Sequence, residues 1–326
     1  MIQQQYIAAA LIGAAVFCGP LVAQELRLGS PVACDLTSDC YILQYVDHDA
    51  GPGARDFRCA PLSYDGHRGT DFAARTLRQM HAGVNVIASA PGIVRGVRDG
   101  MPDQYYADAN AETVAGRECG NGVIILHERG WETQYCHLKR GSVTVSRGDR
   151  VKRGDVLGEI GLSGRTQAPH VDLIVRRSGA VVDPFDPDGV ITCGAPSTDT
   201  LWQDPPAYRP GGLLDVGFAS AIPDYDDIKA GTANAEALPA DAAALVVYGF
   251  AFGGQRGDRV TLRLTGPGGE VVSNTVTLDR NEAQFFRAAG KRRTTDGWPR
   301  GRYTGSVTLI RNGRAVSERS STFTVY

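Results

Sequence analysis

Five residues near the middle of the chain are of the types that hold and work a metal ion. His67 and Asp71 are four apart in His67-Arg68-Gly69-Thr70-Asp71. On a strand or a helix, that spacing puts both side chains on one face. A neutral imidazole and a carboxylate are good zinc ligands, and Gly69 lets the backbone turn tightly between them. By itself the pair is a weak signal, because hydrogen-bonded surface pairs of this kind are commoner than metal sites. Two further groups strengthen it. Tyr135-Cys136-His137-Leu138 places His137 on an apparent strand. In Pro169-His170-Val171-Asp172-Leu173, His170 and Asp172 are two apart on another strand and share a face.

Strands must position these residues. Glycine accounts for 40 of 326 residues, about 12% against a usual value of about 7%, and without a repeat this favours many tight turns. Tyr41 to Val46 reads as a strand. Val84 to Ala88 and Ile93 to Val97 flank Pro91-Gly92 and read as a hairpin. Leu77 to Ala82 reads as a short helix ended by Gly83. Val123 to His127 and Thr133 to Leu138 flank Glu128-Arg129-Gly130, a second hairpin. Gly148-Asp149 and Gly154-Asp155 mark turns around Val151 and Val156-Leu157. The expected fold class is all-β and antiparallel.

In chain order the signals run H-x-G-x-D, Y-x-H-L, G-D-x-V-x-x-G-x-x-L-G-x-I-G and S-G-x-T followed by P-H-x-x-L, between His67 and Leu173. This order resembles the LytM and lysostaphin-type zinc endopeptidases of cell walls, with their duplicated hybrid motif, over roughly His67 to Pro187. The resemblance implies that His67 and Asp71 bind zinc and that His137 and His170 assist catalysis. The third zinc ligand of the family is the second His of H-x-H, and here that position is Asp172. Carboxylate is a competent zinc ligand, but a His/Asp/Asp set puts two negative charges on the metal and acidifies a bound water less than neutral histidines would. Three readings of residue 172 stay open. Asp172 works as a ligand, or the site is degenerate, or another group such as His48 replaces the missing one. The implied activity is hydrolysis of peptide bonds in peptidoglycan stems or cross-bridges. The alternative is a cell-wall-binding or amidase-regulating protein with a defunct site.

The remaining signals concern location and organisation. Apolar residues 7–17 are too few to span a bilayer, which takes about 20. They read as part of a signal peptide, residues 1–23, cut after Ala23, although no Lys or Arg precedes them. Cys18 follows Phe17, a poor context for a lipid anchor. The expected location is periplasmic or secreted. Six further cysteines, Cys34, Cys40, Cys59, Cys119, Cys136 and Cys193, suggest three disulfides, with Cys34–Cys40 the best pair. A net charge of −2 argues against a nucleic-acid partner. Residues 24–193 read as the peptidase-like β domain and 194–240, rich in Pro, Ala and Asp, as a partly ordered linker. Trp202, Tyr208 and Phe218 could pack on a neighbour there. Residues 241–326 alternate apolar and polar around turns at Gly266-Pro267-Gly268-Gly269 and Asn312-Gly313. They read as an immunoglobulin-like sandwich. His48, in Asp47-His48-Asp49, and Arg311 to Arg314 read as solvated turns. The long segment from Asp99 to Gly120 reads as a candidate wall of a substrate groove.

Overall fold

The computed structural model describes residues 25–195 and 198–326. The expected signal peptide and Cys18 lie outside them. The first domain is built from β1 (Cys40–Gln44), β2 (Thr70–Ala74), β3 (Asn85–Ile87), β4 (Gly92–Arg98), β5 (Asn121–Leu126), β6 (Trp131–Leu138), β7 (Arg150–Val151), β8 (Val156–Glu159), β9 (His170–Arg177) and β10 (Ala180–Val181). An antiparallel sheet runs in the order β1-β2-β9-β6-β5-β4-β7, with β10 beside β9, while β3 pairs with β8 in a separate two-stranded sheet. The helix α1 (Leu77–Ala82) starts on the Thr76 hydroxyl, which accepts from the Gln79 amide, and ends at Gly83 with φ 95°.

Alternation along the strands divides the sheet into two faces. Phe72 and Ala74 of β2, Tyr135 of β6, and Val171, Leu173 and Val175 of β9 enter one buried core with Leu28, Val86 and Leu157. Asp71, His170 and Asp172 therefore fall on the opposite face.

The expected hairpin between Val84–Ala88 and Ile93–Val97 does not form. Residues 29–33 and 155–159 take the backbone groups around β3: Ala33 N donates to Asn85 O, Ile87 N to Pro31 O and Ala88 N to Asp155 O. That leaves β4 to pair with β5 and β7. Pro91-Gly92 thus carries the chain from one sheet to the other instead of reversing it.

The second domain holds β11 (Gly212–Ala219), α3 (Tyr225–Ala230), β12 (Ala237–Leu238), β13 (Ala244–Gly254), β14 (Arg259–Gly266), β15 (Gly269–Thr277), β16 (Glu282–Arg292), β17 (Gly301–Arg311) and β18 (Arg314–Val325); α2 (Ala111–Val114) belongs to the first domain. Sheets β11-β13-β16 and β12-β18-β17-β14-β15 share a core of Phe218, Val247, Phe285, Leu262, Val307 and Phe323, which makes the domain a β-sandwich.

Residues 194–240 are therefore not simply a linker. Leu201 and Trp202 sit in the first core, β11 pairs with β13 along its length, and Phe218 is fully buried in the second core. Trp202, Tyr208 and Phe218 pack on neighbours as expected, while proline-rich flanks and a high Ala and Asp content mask the apolar Leu213 and Val216. Arg311 is another correction. Only Asn312 and Gly313 make the turn, with φ 51° and 76°. Arg311 turns inward, pairs with the buried Asp258 at 2.7 Å and donates to the carbonyls of Pro210 and Gly253.

Three disulfides form among the described residues: Cys34–Cys40, Cys59–Cys193 and Cys119–Cys136.

Candidate metal centre

The register of β2 against β9 sets Asp71 directly opposite Asp172 and Ala73 opposite His170. Two carboxylates facing each other on adjacent strands destabilise a sheet unless something between them is positive. His67 reaches the same point from the loop before β2. Its Nε2 lies 3.2 Å from Asp71 Oδ1 and 3.9 Å from Asp172 Oδ1. One ligand atom from each of His67, Asp71 and Asp172 lies within 4.8 Å of the others. A tetrahedral ion with bonds of about 2.0–2.1 Å would space its ligand atoms by roughly 3.3 Å.

Among the described residues, His67 Nε2, Asp71 Oδ1 and Asp172 Oδ1 are each buried and find no hydrogen-bond partner. Buried polar atoms are rarely left so. A cation bound by all three would satisfy them together, so the donor set fits a zinc-type ion. Gly69 makes the room: a Cβ there would sit 1.8 Å from Asp172 Oδ1.

His137 arrives on this face through a break in alternation. Tyr135 and Leu138 both enter the core, yet Cys136 and His137 line the cleft. His137 has φ 64°, an uncommon left-handed conformation, and the β5–β6 register slips between Asn121 and Val123. The slip re-aims the side chain, as β-bulges do. The Cys119–Cys136 disulfide and a bond from His137 N to Cys119 O at 2.8 Å pin this strand end.

All three histidines of the site are held by their Nδ1 atoms, His67 on Tyr45 O at 2.7 Å. His137 Nδ1 meets Ser163 O at 2.7 Å, and His170 Nδ1 meets Ala168 O at 2.8 Å. A ring nitrogen against a carbonyl carries its proton, which leaves each Nε2 for the cleft. His170 Nε2 is 3.3 Å from Asp71 Oδ1, and the two rings are 4.7 Å apart.

Their electrostatics differ. Burial, and then the neighbouring His170, push His137 down to about 3, so it stays neutral. Burial also opposes charge on His170, but Asp71 outweighs it and raises the ring. His67 is likewise penalised by burial, yet Asp71 and Asp172 hold it up to about 9. Burial and the adjacent Asp71 raise Asp172. Asp71 is itself penalised by burial, but His67 and His170 bring it well below the ordinary carboxylate range.

The structure thus brings all five sequence-derived residues together. His48 is not among them. Its Nε2 pairs with Asp183 Oδ2 at 2.7 Å, with the imidazole only 12% exposed, so it is neither a solvated turn nor a replacement ligand. The next residue back, Asp47, instead braces the His67 loop: Asp47 N donates to His67 O and Gly66 N donates to Asp47 Oδ2. Tyr64, stacked on the His67 ring at 4.3 Å, had no signal in the sequence. The segment before Gly120 does border the cleft, through Tyr106, Glu118 and Cys119.

Residues 65–184 match peptidase family M23. The DD-carboxypeptidase/endopeptidase Mpg of Neisseria meningitidis is 32% identical over 108 residues, 32% of this chain and 22% of that protein. The peptidoglycan DD-endopeptidase ShyA of Vibrio cholerae is 35% identical over 112 residues, 34% of this chain and 20% of that protein. The cell division protein DipM of Caulobacter vibrioides is 31% identical over 121 residues, 36% of this chain and 18% of that protein. The chain thus spans about a fifth of the length of the curated relatives it matches. A zinc-containing peptidase from Vibrio cholerae superposes with a TM-score of 0.33 at 24% identity, over 48% of this chain and 39% of that one.

Proposed function

We propose that this chain, whose residues 65–184 form a peptidase family M23 domain, is an exported zinc endopeptidase that hydrolyses peptide bonds in peptidoglycan stems or cross-bridges. The observation that carries the reading is the convergence of three buried ligand atoms from His67, Asp71 and Asp172 that make no hydrogen bond among the described residues. Zinc held there would supply Lewis acidity toward the scissile carbonyl and a more acidic water. The chain's own groups do the rest. His137, with its proton held at Nδ1, offers Nε2 as an acceptor that orients the attacking water. His170 presents Nε2 from beside Asp71 and donates to the oxygen on which charge develops. The named activities of Mpg and ShyA support a peptidoglycan substrate. Three disulfides support a periplasmic or secreted location. No helix among the described residues is long and apolar enough to cross a membrane.

The test is zinc stoichiometry with muropeptide release from purified peptidoglycan. Wild type should bind one zinc and release product slowly at neutral pH, because two carboxylate ligands acidify water poorly. Asp172→His should tighten zinc and raise the rate, and His67→Ala should abolish both. If wild type binds no zinc and Asp172→His restores binding and cleavage, the protein is a degenerate cell-wall-binding or amidase-regulating protein and the enzymatic reading is wrong.

A further inference from the structure

The sandwich reaches into the catalytic cleft. That cleft encloses about 860 Å³, and besides the five site residues its lining includes Ala283 and Gln284 at the start of β16. A second hollow of about 510 Å³ also begins at Gln284 and continues over the sandwich past Tyr225 and Arg287. Hollows of this size take ligands of several residues, not a single amide.

Gln284 is fixed in place. Its Nε2 donates to the buried Tyr41 hydroxyl at 2.6 Å. No partner of its Oε1 is found among the described residues, so a bound peptide N–H can use it. Ala283, beside it, is exposed and small. The strand that carries both is the edge of its sheet, in the order β11-β13-β16.

This wall does not drift relative to the metal centre. Tyr41, Leu43, Ala73 and Ala168 of the first domain share one buried cluster with Leu214, Tyr248, Phe250 and Phe252 of the second. The Tyr41 and Phe252 rings are 4.6 Å apart. Ala168, whose carbonyl holds His170, belongs to that cluster.

We propose that Ala283 and Gln284 form a substrate-selecting wall of the cleft, recognising the extended peptide of a cross-linked stem beyond the scissile bond. The sandwich is then part of the binding site and not a remote wall anchor. The proposal rests on the peptidase reading above for the identity of the ligand.

The experiment uses the full chain and a soluble cross-linked stem-peptide dimer prepared from purified peptidoglycan. Equilibrium binding and cleavage are measured separately. Ala283→Trp, which fills the exposed wall, should weaken binding and raise KM at least tenfold while zinc content and kcat stay near wild type. Gln284→Ala should shift both in the same direction by about threefold and serves if the tryptophan variant misfolds. Ser273→Trp, on β15 of the other sheet, is the control and should change neither. If both wall variants fold and bind and cleave like wild type, the proposal is overturned. If wild type binds the dimer without cleaving it and Ala283→Trp weakens that binding, the wall stands and the peptidase reading fails. If folded, zinc-loaded wild type neither binds nor cleaves the dimer, both fail.

Discussion

The chemistry of the site turns on a few protons. Free of metal, His67 is held up to about 9, so it carries a proton at pH 7 that a metal must displace. Metal ligands bind deprotonated. Affinity for zinc should therefore rise with pH and level off above about 9, where His67 has already lost its proton. Titration calorimetry at pH 7 in two buffers of different ionisation enthalpy should report about one proton released per zinc. Proton uptake, or none exchanged, would remove His67 from the ligand set. The other two histidines share the Nδ1 anchor of His67 but not its place among the ligands. His137 and His170 are anchored through Nδ1 to carbonyls and contribute no atom to the ligand triad. Their replacement by Ala should lower kcat by about 10²–10⁴-fold while leaving zinc stoichiometry near wild type. A parallel loss of zinc would make either one a ligand. The positions of all five site residues were legible in the sequence from the motif spacing, although residue 172 is Asp where the resembled motif has His. Tyr64 and the His48–Asp183 pair were not, because stacking and pairing across 135 residues leave no local pattern.

At the scale of elements, the site is a matter of register. Asp71 and Asp172 meet because β2 and β9 pair with those residues opposite each other. Alternation in the sequence already assigned His170 and Asp172 to one face. It could not reveal that His137 shares that face, because strict alternation would send it to the core side with Tyr135. The left-handed φ of 64° at His137 overrides the period, and nothing in Tyr-Cys-His-Leu announces it. The failed hairpin at Pro91-Gly92 has a similar cause: turn residues show that the chain bends, while distant backbone donors decide what each strand pairs with. Gly69 offers the clearest test of the register. A methyl group there would occupy the position of Asp172 Oδ1 and also approach Leu173 O at 2.9 Å. Gly69→Ala should displace the Asp172 carboxylate, cut zinc affinity at least tenfold and cost about 1–3 kcal/mol of stability through overpacking. Zinc titration and urea denaturation of the variant check both effects. Unchanged zinc affinity would mean that Asp172 is not needed in its observed position.

At the scale of the molecule, the seam between the domains decides whether they act as one body. In β1, Cys40-Tyr41-Ile42-Leu43 is apolar at every position, the pattern of a strand covered on both faces. Cys40 and Ile42 enter the core of the first domain, and Tyr41 and Leu43 enter the seam. The sequence shows that a cover is needed but not which segment supplies it, because Phe250 and Phe252 lie more than two hundred residues away. The interdomain stretch expected as a linker instead delivers β11, and Leu214 from it packs in the same seam. Lys229 of α3 also sits 4.5 Å from the Tyr105 ring of the cleft-bordering segment, tying a second point of the sandwich to the first domain. Domains that share a buried cluster of this kind should melt together. Phe252, fully buried at the centre of the seam, is the residue to remove. Phe252→Ala should cost about 3–5 kcal/mol, the usual range for emptying a buried aromatic site. It should also split one unfolding transition into two, because each domain keeps its own core. Calorimetry reads the split directly. Fluorescence assigns it, since Trp202 lies in the first core and Trp298 packs against the second. Loosening the seam also frees Ala168, whose carbonyl orients His170. The variant should therefore lose hydrolysis at temperatures where the first domain is still folded and still holds its zinc. Full activity after the sandwich has melted would show that the seam supports neither His170 nor the cleft.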